Sequence, residues 1–184
     1  LVSGLEVGFG GVFVGAALLL DLVLWLLVLL GLESVAVPAN FASTHQPEFV
    51  FPYSHGLLAS VLWSAIAGAA ALLACSDRPT LKWRVAVLVA AAVFSHWLLD
   101  ALVHRPEMPL TSGTSSMVGL ALWNNMSIAL GIEAMIVAVG LYLFVPGSGL
   151  SRRRSITLTV LTLVVLAATV AGLPAVPIAN GVVS

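Results

Sequence analysis

Residues 83–103 read WRVAVLVAAAVFSHWLLDALV, a run that after Arg84 is apolar and broken by ionisable residues only near its end, at His96 and Asp100. A helix that crosses a bilayer needs roughly 20 mainly apolar residues, and this run supplies them. It carries no Gly or Pro to stop a helix. An ionisable group in such a helix costs about 2.5–3.5 kcal/mol on insertion scales, so His96 and Asp100 need a reason to be there. Fold class and candidate chemistry are therefore both read from one stretch.

Four more runs qualify. They cover about 7–32, 55–75, 117–145 and 156–173, the last closed by Pro174 and Pro177. With 83–103 they predict an all-α, polytopic transmembrane helical bundle of about five spanning helices. One membrane domain over 1–184 is the simplest organisation, with no internal repeat and no low-complexity linker. Composition agrees. The chain is 60% hydrophobic and 8% charged, and its mean hydropathy is +1.12. A soluble domain carries about 25% charged residues to keep its surface wet. Here the lipid bilayer must be the main partner. A net charge of −1 leaves no basic face for nucleic acid. The single cysteine, Cys75, excludes an internal disulfide and a thiolate zinc cage. No charged segment precedes the first apolar run, so no intact signal peptide is expected.

Short loops rich in Lys and Arg stay on the cytoplasmic side. Arg78, Lys82 and Arg84 lie between the second and third runs, and Arg152, Arg153 and Arg154 between the fourth and fifth. Arg105 alone lies in an opposite loop. This predicts a multi-pass membrane protein with a cytoplasmic N-terminus and an outside C-terminus. Gly11 and Gly15 form a small-xxx-small pair, and Gly68 sits in an Ala-rich helix, so both are expected at helix contacts. Trp25, Trp63, Trp83, Trp97 and Trp123 read as interface anchors and packing residues. His45 has no partner by spacing and is expected in solvent.

The ionisable residues converge. The third run ends at the outer face where the second and fourth begin. That brings His96, Asp100 and His104 to the depth of His55, Asn124 and Asn125, with Asp21 and Glu133 as the floor. His96, Asp100 and His104 follow i, i+4, i+8 and share one helix face. At a rise of 1.5 Å per residue the two histidines lie about 12 Å apart, too far to share one ion. A metal would take an i,i+4 pair with His55 or Asp21, or Asp100 would bridge two metals, or Asp100 would orient a ligating histidine. Imidazole and carboxylate without thiolate suit zinc, iron or manganese. Asn124 and Asn125 are expected to contact a bound cofactor. Glu133 or Asp100 is the candidate catalytic base. The bland alternative is a hydrogen-bonded His96–Asp100 pair that only holds helices together, with His104 at a wet helix end. No nucleophile elbow, P-loop or dinucleotide fingerprint occurs.

Leu20-Asp21-Leu22, Leu30-Gly31-Leu32-Glu33, Pro52-Tyr53-Ser54-His55, Ser95-His96-Trp97-Leu98-Leu99-Asp100, Val103-His104-Arg105-Pro106 and Leu122-Trp123-Asn124 carry a resemblance. Over roughly 12–145 the chain resembles a family of uncharacterised bacterial multi-pass membrane proteins. More distantly it is similar to membrane-bound metal-dependent hydrolases. That likeness implies ligand roles for Asp21, His55, His96, Asp100 and His104, and a hydrolytic activity. Gly56 departs from the pattern, which usually has Ser after the histidine, and 1–10 lacks the Gly-His-Phe that often opens such proteins. Two other function classes fit the composition. One is an accessory subunit among other membrane subunits, holding haem or chlorophyll through a histidine. The other is an ion-coupled transporter using Asp21, Glu133 and the histidines as an ion path.

Overall fold

The computed structural model describes residues 11–41, 46–111 and 116–172, so His45 and 1–10 lie outside the described residues. The elements are α1 (Gly11–Ala17), α2 (Leu19–Leu29), β1 (Ser34–Ala36), β2 (Glu48–Val50), α3 (Leu57–Ala74) and α4 (Lys82–Val103). There follow β3 (Met108–Pro109), β4 (Met117–Val118), a 3-10 turn (Leu122–Asn125), α5 (Met126–Gly147) and α6 (Arg152–Gly172). Among the described residues three helices are long and apolar enough to cross a membrane: Leu57–Ala74, Lys82–Val103 and Leu122–Pro146. They become four if α1 and α2, bent by 52°, count as one span.

The described residues form two compact units, one within Leu1–Pro38 and Pro47–Asn124, the other within Ala39–Gln46 and Asn125–Ser184. The first is built on the α3–α4 hairpin. Ser60, Ser64 and Gly68 are the buried residues of α3 and recur every fourth position. They make a small-residue stripe on which α4 can approach closely. A Cβ on Gly68 would sit 3.1 Å from the Ala86 carbonyl oxygen and 3.2 Å from Ala90 Cβ. The Ser64 hydroxyl donates to Ser60 O at 2.6 Å, so its polar group is satisfied in apolar surroundings. On α4, Val85, Ala86, Val89, Val93 and Trp97 are buried, and with Ala16, Leu20, Leu24, Phe51 and Met108 they form the core. Gly11 and Gly15 play no such part: no described residue lies within 4 Å of a Cβ placed on either.

Two short antiparallel ladders close the polar end of this unit. β1 pairs with β2, Val35 opposite Phe49, and β3 pairs with β4, Met108 opposite Val118. The chain after β4 crosses the end of α4, where helix carbonyls lack partners. Leu120 N donates to Ala101 O at 2.9 Å and Ala121 N to His104 O at 2.7 Å. Gly119, at φ +151°, passes so close to the Arg105 carbonyl that no side chain fits. Residues 117–121 therefore leave the helix that their apolar character predicts, and that helix begins with the 3-10 turn at Leu122.

The second unit holds α5 and α6, which contact each other. Thr157 and Thr162 donate their hydroxyls to Arg153 O (3.0 Å) and Leu158 O (2.9 Å). Their polar groups are thus satisfied inside α6, as an apolar environment requires.

Candidate metal centre

The α3–α4 hairpin brings the start of α3 to the end of α4, so His55 meets His96 and Asp100. α2 adds Asp21. His55 Nε2 lies 3.3 Å from Asp100 Oδ2 and 3.7 Å from Asp21 Oδ1. His96 Nε2 lies 3.2 Å from Asp100 Oδ2 and 3.5 Å from Asp21 Oδ1. Asp21, His55 and His96 each offer a ligand atom, all within 4.8 Å of one another.

The far side of each ring fixes its tautomer. His96 Nδ1 lies 2.7 Å from the carbonyl oxygen of Ala17, which can only accept, so Nδ1 carries the hydrogen. That carbonyl ends α1, beside the 52° bend, where a side chain can enter the helical ladder. No proline occurs there, and His96 is the group that takes the carbonyl. His55 is held by a longer relay. Ser54 Oγ donates to Glu33 Oε2 at 2.7 Å and lies 2.8 Å from His55 Nδ1. The one hydroxyl proton goes to the carboxylate, so His55 Nδ1 is the donor. Glu33 is fixed in turn: its Oε1 accepts from Tyr53 N (2.7 Å) and Ser54 N (2.8 Å), and the residue is only 4% exposed. Trp97 Nε1 donates to the His55 carbonyl at 2.8 Å.

With both Nδ1 atoms donating, two imidazole lone pairs and two carboxylates face one another. Four acceptors at this spacing repel unless a proton or a cation lies between them. Asp100 Oδ2 is buried and accepts no hydrogen bond. The four His–Asp distances of 3.2 to 3.7 Å are close to those between ligand atoms about 2.0–2.2 Å from one zinc-like ion, roughly 3.3–3.6 Å, and Asp21, His55 and His96 make the compact set. Each histidine also donates its other ring nitrogen to an oxygen, the usual support of a metal-ligating imidazole.

The remaining expected site residues take other places. His104, 6% exposed, lines the same cavity but donates from Nδ1 to Glu107 Oε1 at 2.7 Å. Its ring packs on Trp123 (centroids 4.6 Å apart) and Phe49 (5.2 Å). It stands beside the group of ligand atoms, because the chain turns out of α4 at this residue. Asn125 caps α5, its Oδ1 accepting from Ile128 N at 3.3 Å, and Asn124 sits in the preceding 3-10 turn. Glu133 belongs to the second unit, exposed on α5, in a pocket with Val137, Leu161 and Thr162. A Cβ on Gly56 would lie 2.5 Å from the Pro52 carbonyl oxygen, which explains why no serine stands there. Sequence reasoning missed Glu33 and Trp97 as supports of His55. The one available signal was an acidic residue directly after an apolar run.

No protein-family model, curated protein or solved structure matches this chain. The described residues form a His/Asp cluster able to hold a metal ion, carried by helices apolar enough to insert in a membrane.

Proposed function

We propose that this chain is a metal-dependent hydrolase of the bacterial plasma membrane, binding one divalent ion through His55, His96, Asp100 and Asp21. The observation that carries this reading is the buried Asp100 Oδ2, which accepts no hydrogen bond although two imidazole nitrogens lie 3.2 and 3.3 Å away. Zinc, iron or manganese suits the donor set. The compact group of ligand atoms favours an ion over a flat tetrapyrrole. When bound, the ion would supply a Lewis acid and a water made nucleophilic near neutral pH. Asp100, the more enclosed carboxylate, would serve as a ligand. Asp21, with 43% of its side chain exposed, would bind through one carboxylate oxygen and leave the other free to accept a proton from that water. Ser54 and Glu33 would hold His55 in its ligating tautomer.

Topology supports an embedded site. His55 lies two residues before α3, and His96 and Asp100 lie within two turns of the end of α4, so the cluster sits within about 10 Å of one end of the α3–α4 hairpin. We read α6 as a fifth span, its three leading arginines on the same side as Arg78, Lys82 and Arg84. The N-terminus is then cytoplasmic and the cluster faces outside.

Elemental analysis of protein purified from membranes without chelators tests the reading. One divalent metal per chain is expected, lost in His96→Ala. Metal-free wild-type protein that takes up none on titration would remove it. One observation favours an additional partner. Glu133 is exposed on α5 and accepts no hydrogen bond from a described residue, so a helix of another membrane subunit would give it a donor. A larger assembly on blue-native electrophoresis, dissociated by Glu133→Gln, is the outcome that supports this second reading.

A further inference from the structure

We infer that the metal centre takes an uncharged acyl compound, an ester or amide with an apolar chain, that enters from the bilayer; this rests on the metal reading above. Three independent features point the same way.

The first is charge. Two carboxylates, Asp21 and Asp100, balance the two positive charges of a divalent ion, and both imidazoles bind it neutral. The loaded centre therefore has no surplus positive charge to attract an anion. No lysine or arginine lines the cavity among the described residues. The nearest candidate in sequence, Arg105, is committed elsewhere, with Nη2 3.5 Å from Pro47 O and 3.9 Å from Glu107 Oε2. A phosphate or carboxylate would meet acidic groups without the fork of donors that normally holds it.

The second is the wall. The cavity measures about 270 Å³, and besides the ligand residues it is lined by Leu24, Phe49, Phe51 and Trp123. Such a space suits a carbonyl and several methylenes, with His104 as a polar group beside them.

The third is access. On α2, Leu20 and Leu24 are buried while Leu22 and Trp25 are exposed. At 100° per residue Asp21 falls between these two faces, so the cavity meets the surface beside a lipid-facing stripe. An apolar compound dissolved in the membrane reaches the ion there without crossing water.

The test uses the full chain in detergent, loaded with cobalt(II), whose visible spectrum reports its ligands. The probes are octanohydroxamate, acetohydroxamate and inorganic phosphate. Octanohydroxamate is expected to shift the spectrum at a concentration at least about tenfold below acetohydroxamate, since each buried methylene adds to binding. Phosphate is expected to leave the spectrum unchanged at a hundredfold excess. Leu24→Ala and Trp123→Ala should each narrow the chain-length preference by about threefold or more; the two variants guard against one misfolding. Equal response to both hydroxamates, a preference unchanged in both variants, or a shift with phosphate would overturn the acyl assignment while leaving the metal site standing. Failure of the wild-type chain to take up cobalt would overturn the metal reading itself, and this one with it.

Discussion

The polar end of α3 and α4 and the middle of α5 treat ionisable groups in opposite ways. In the first, His55, His96, Glu33 and Asp100 are enclosed, and three of the four have a named hydrogen-bond partner. The fourth, Asp100, faces two imidazoles. In the second, Glu133 stands exposed on an apolar helix without a described partner. Apolar surroundings penalise both. The first region offsets that penalty through a built network, and one position in it is left for something else. The second region leaves its carboxylate to whatever lies outside the chain. An enclosed network with one unfilled acceptor is therefore the better sign of a ligand site, and an exposed charge the better sign of a partner.

That contrast can be broken in four places. The largest effect is expected from His96→Ala, which removes a ligand and should cost more than the 10–100-fold in metal affinity typical of losing an outer partner. Metal competition titration against a chromophoric chelator measures it, and an unchanged affinity would make His96 a packing residue. Glu33→Gln comes next. It weakens only the relay that orients His55, so a loss of about 10–100-fold is expected in the same titration. A loss as large as that of His96→Ala would mean that Glu33 acts in some more direct way. Gly68→Leu probes the scaffold instead. A side chain cannot fit against Ala86 and Ala90, and overpacking of this kind costs about 1–3 kcal/mol. Denaturant unfolding in detergent should show it, while metal stoichiometry in the folded fraction stays the same. Glu133→Gln should do least to the chain alone, within about 0.5 kcal/mol in stability and with no change in metal content. A drop in bound metal there would erase the distinction between the two regions.

Much of the centre was readable from residue order. The spacing of His96 and Asp100 puts them on one helix face, and the hairpin between the second and third apolar runs returns His55 to their level. Asp21 followed from being ionisable within an apolar run. Other features depend on backbone events that pattern does not encode. The bend between Ala17 and Leu18 has no proline to announce it and exists where His96 takes a carbonyl. Glu33 acts across about twenty residues of chain, through two amides and a hydroxyl that no periodicity links to it. His104 keeps the i+8 position expected of a ligand, yet α4 ends there and Glu107 claims its ring. Residues 117–121 are apolar enough for a helix, but the open carbonyls of Ala101 and His104 draw them into a crossing segment. Asn125 consequently becomes a helix cap.

X-ray absorption at the edge of the bound metal tests the central claim most directly, because it counts ligand types in the intact protein. Two imidazole nitrogens with one or two carboxylate oxygens, at about 2.0–2.2 Å, are expected from His55, His96, Asp100 and Asp21. A spectrum with no imidazole, or with sulfur in the first coordination sphere, would place the metal elsewhere and leave the cluster as a hydrogen-bonded brace.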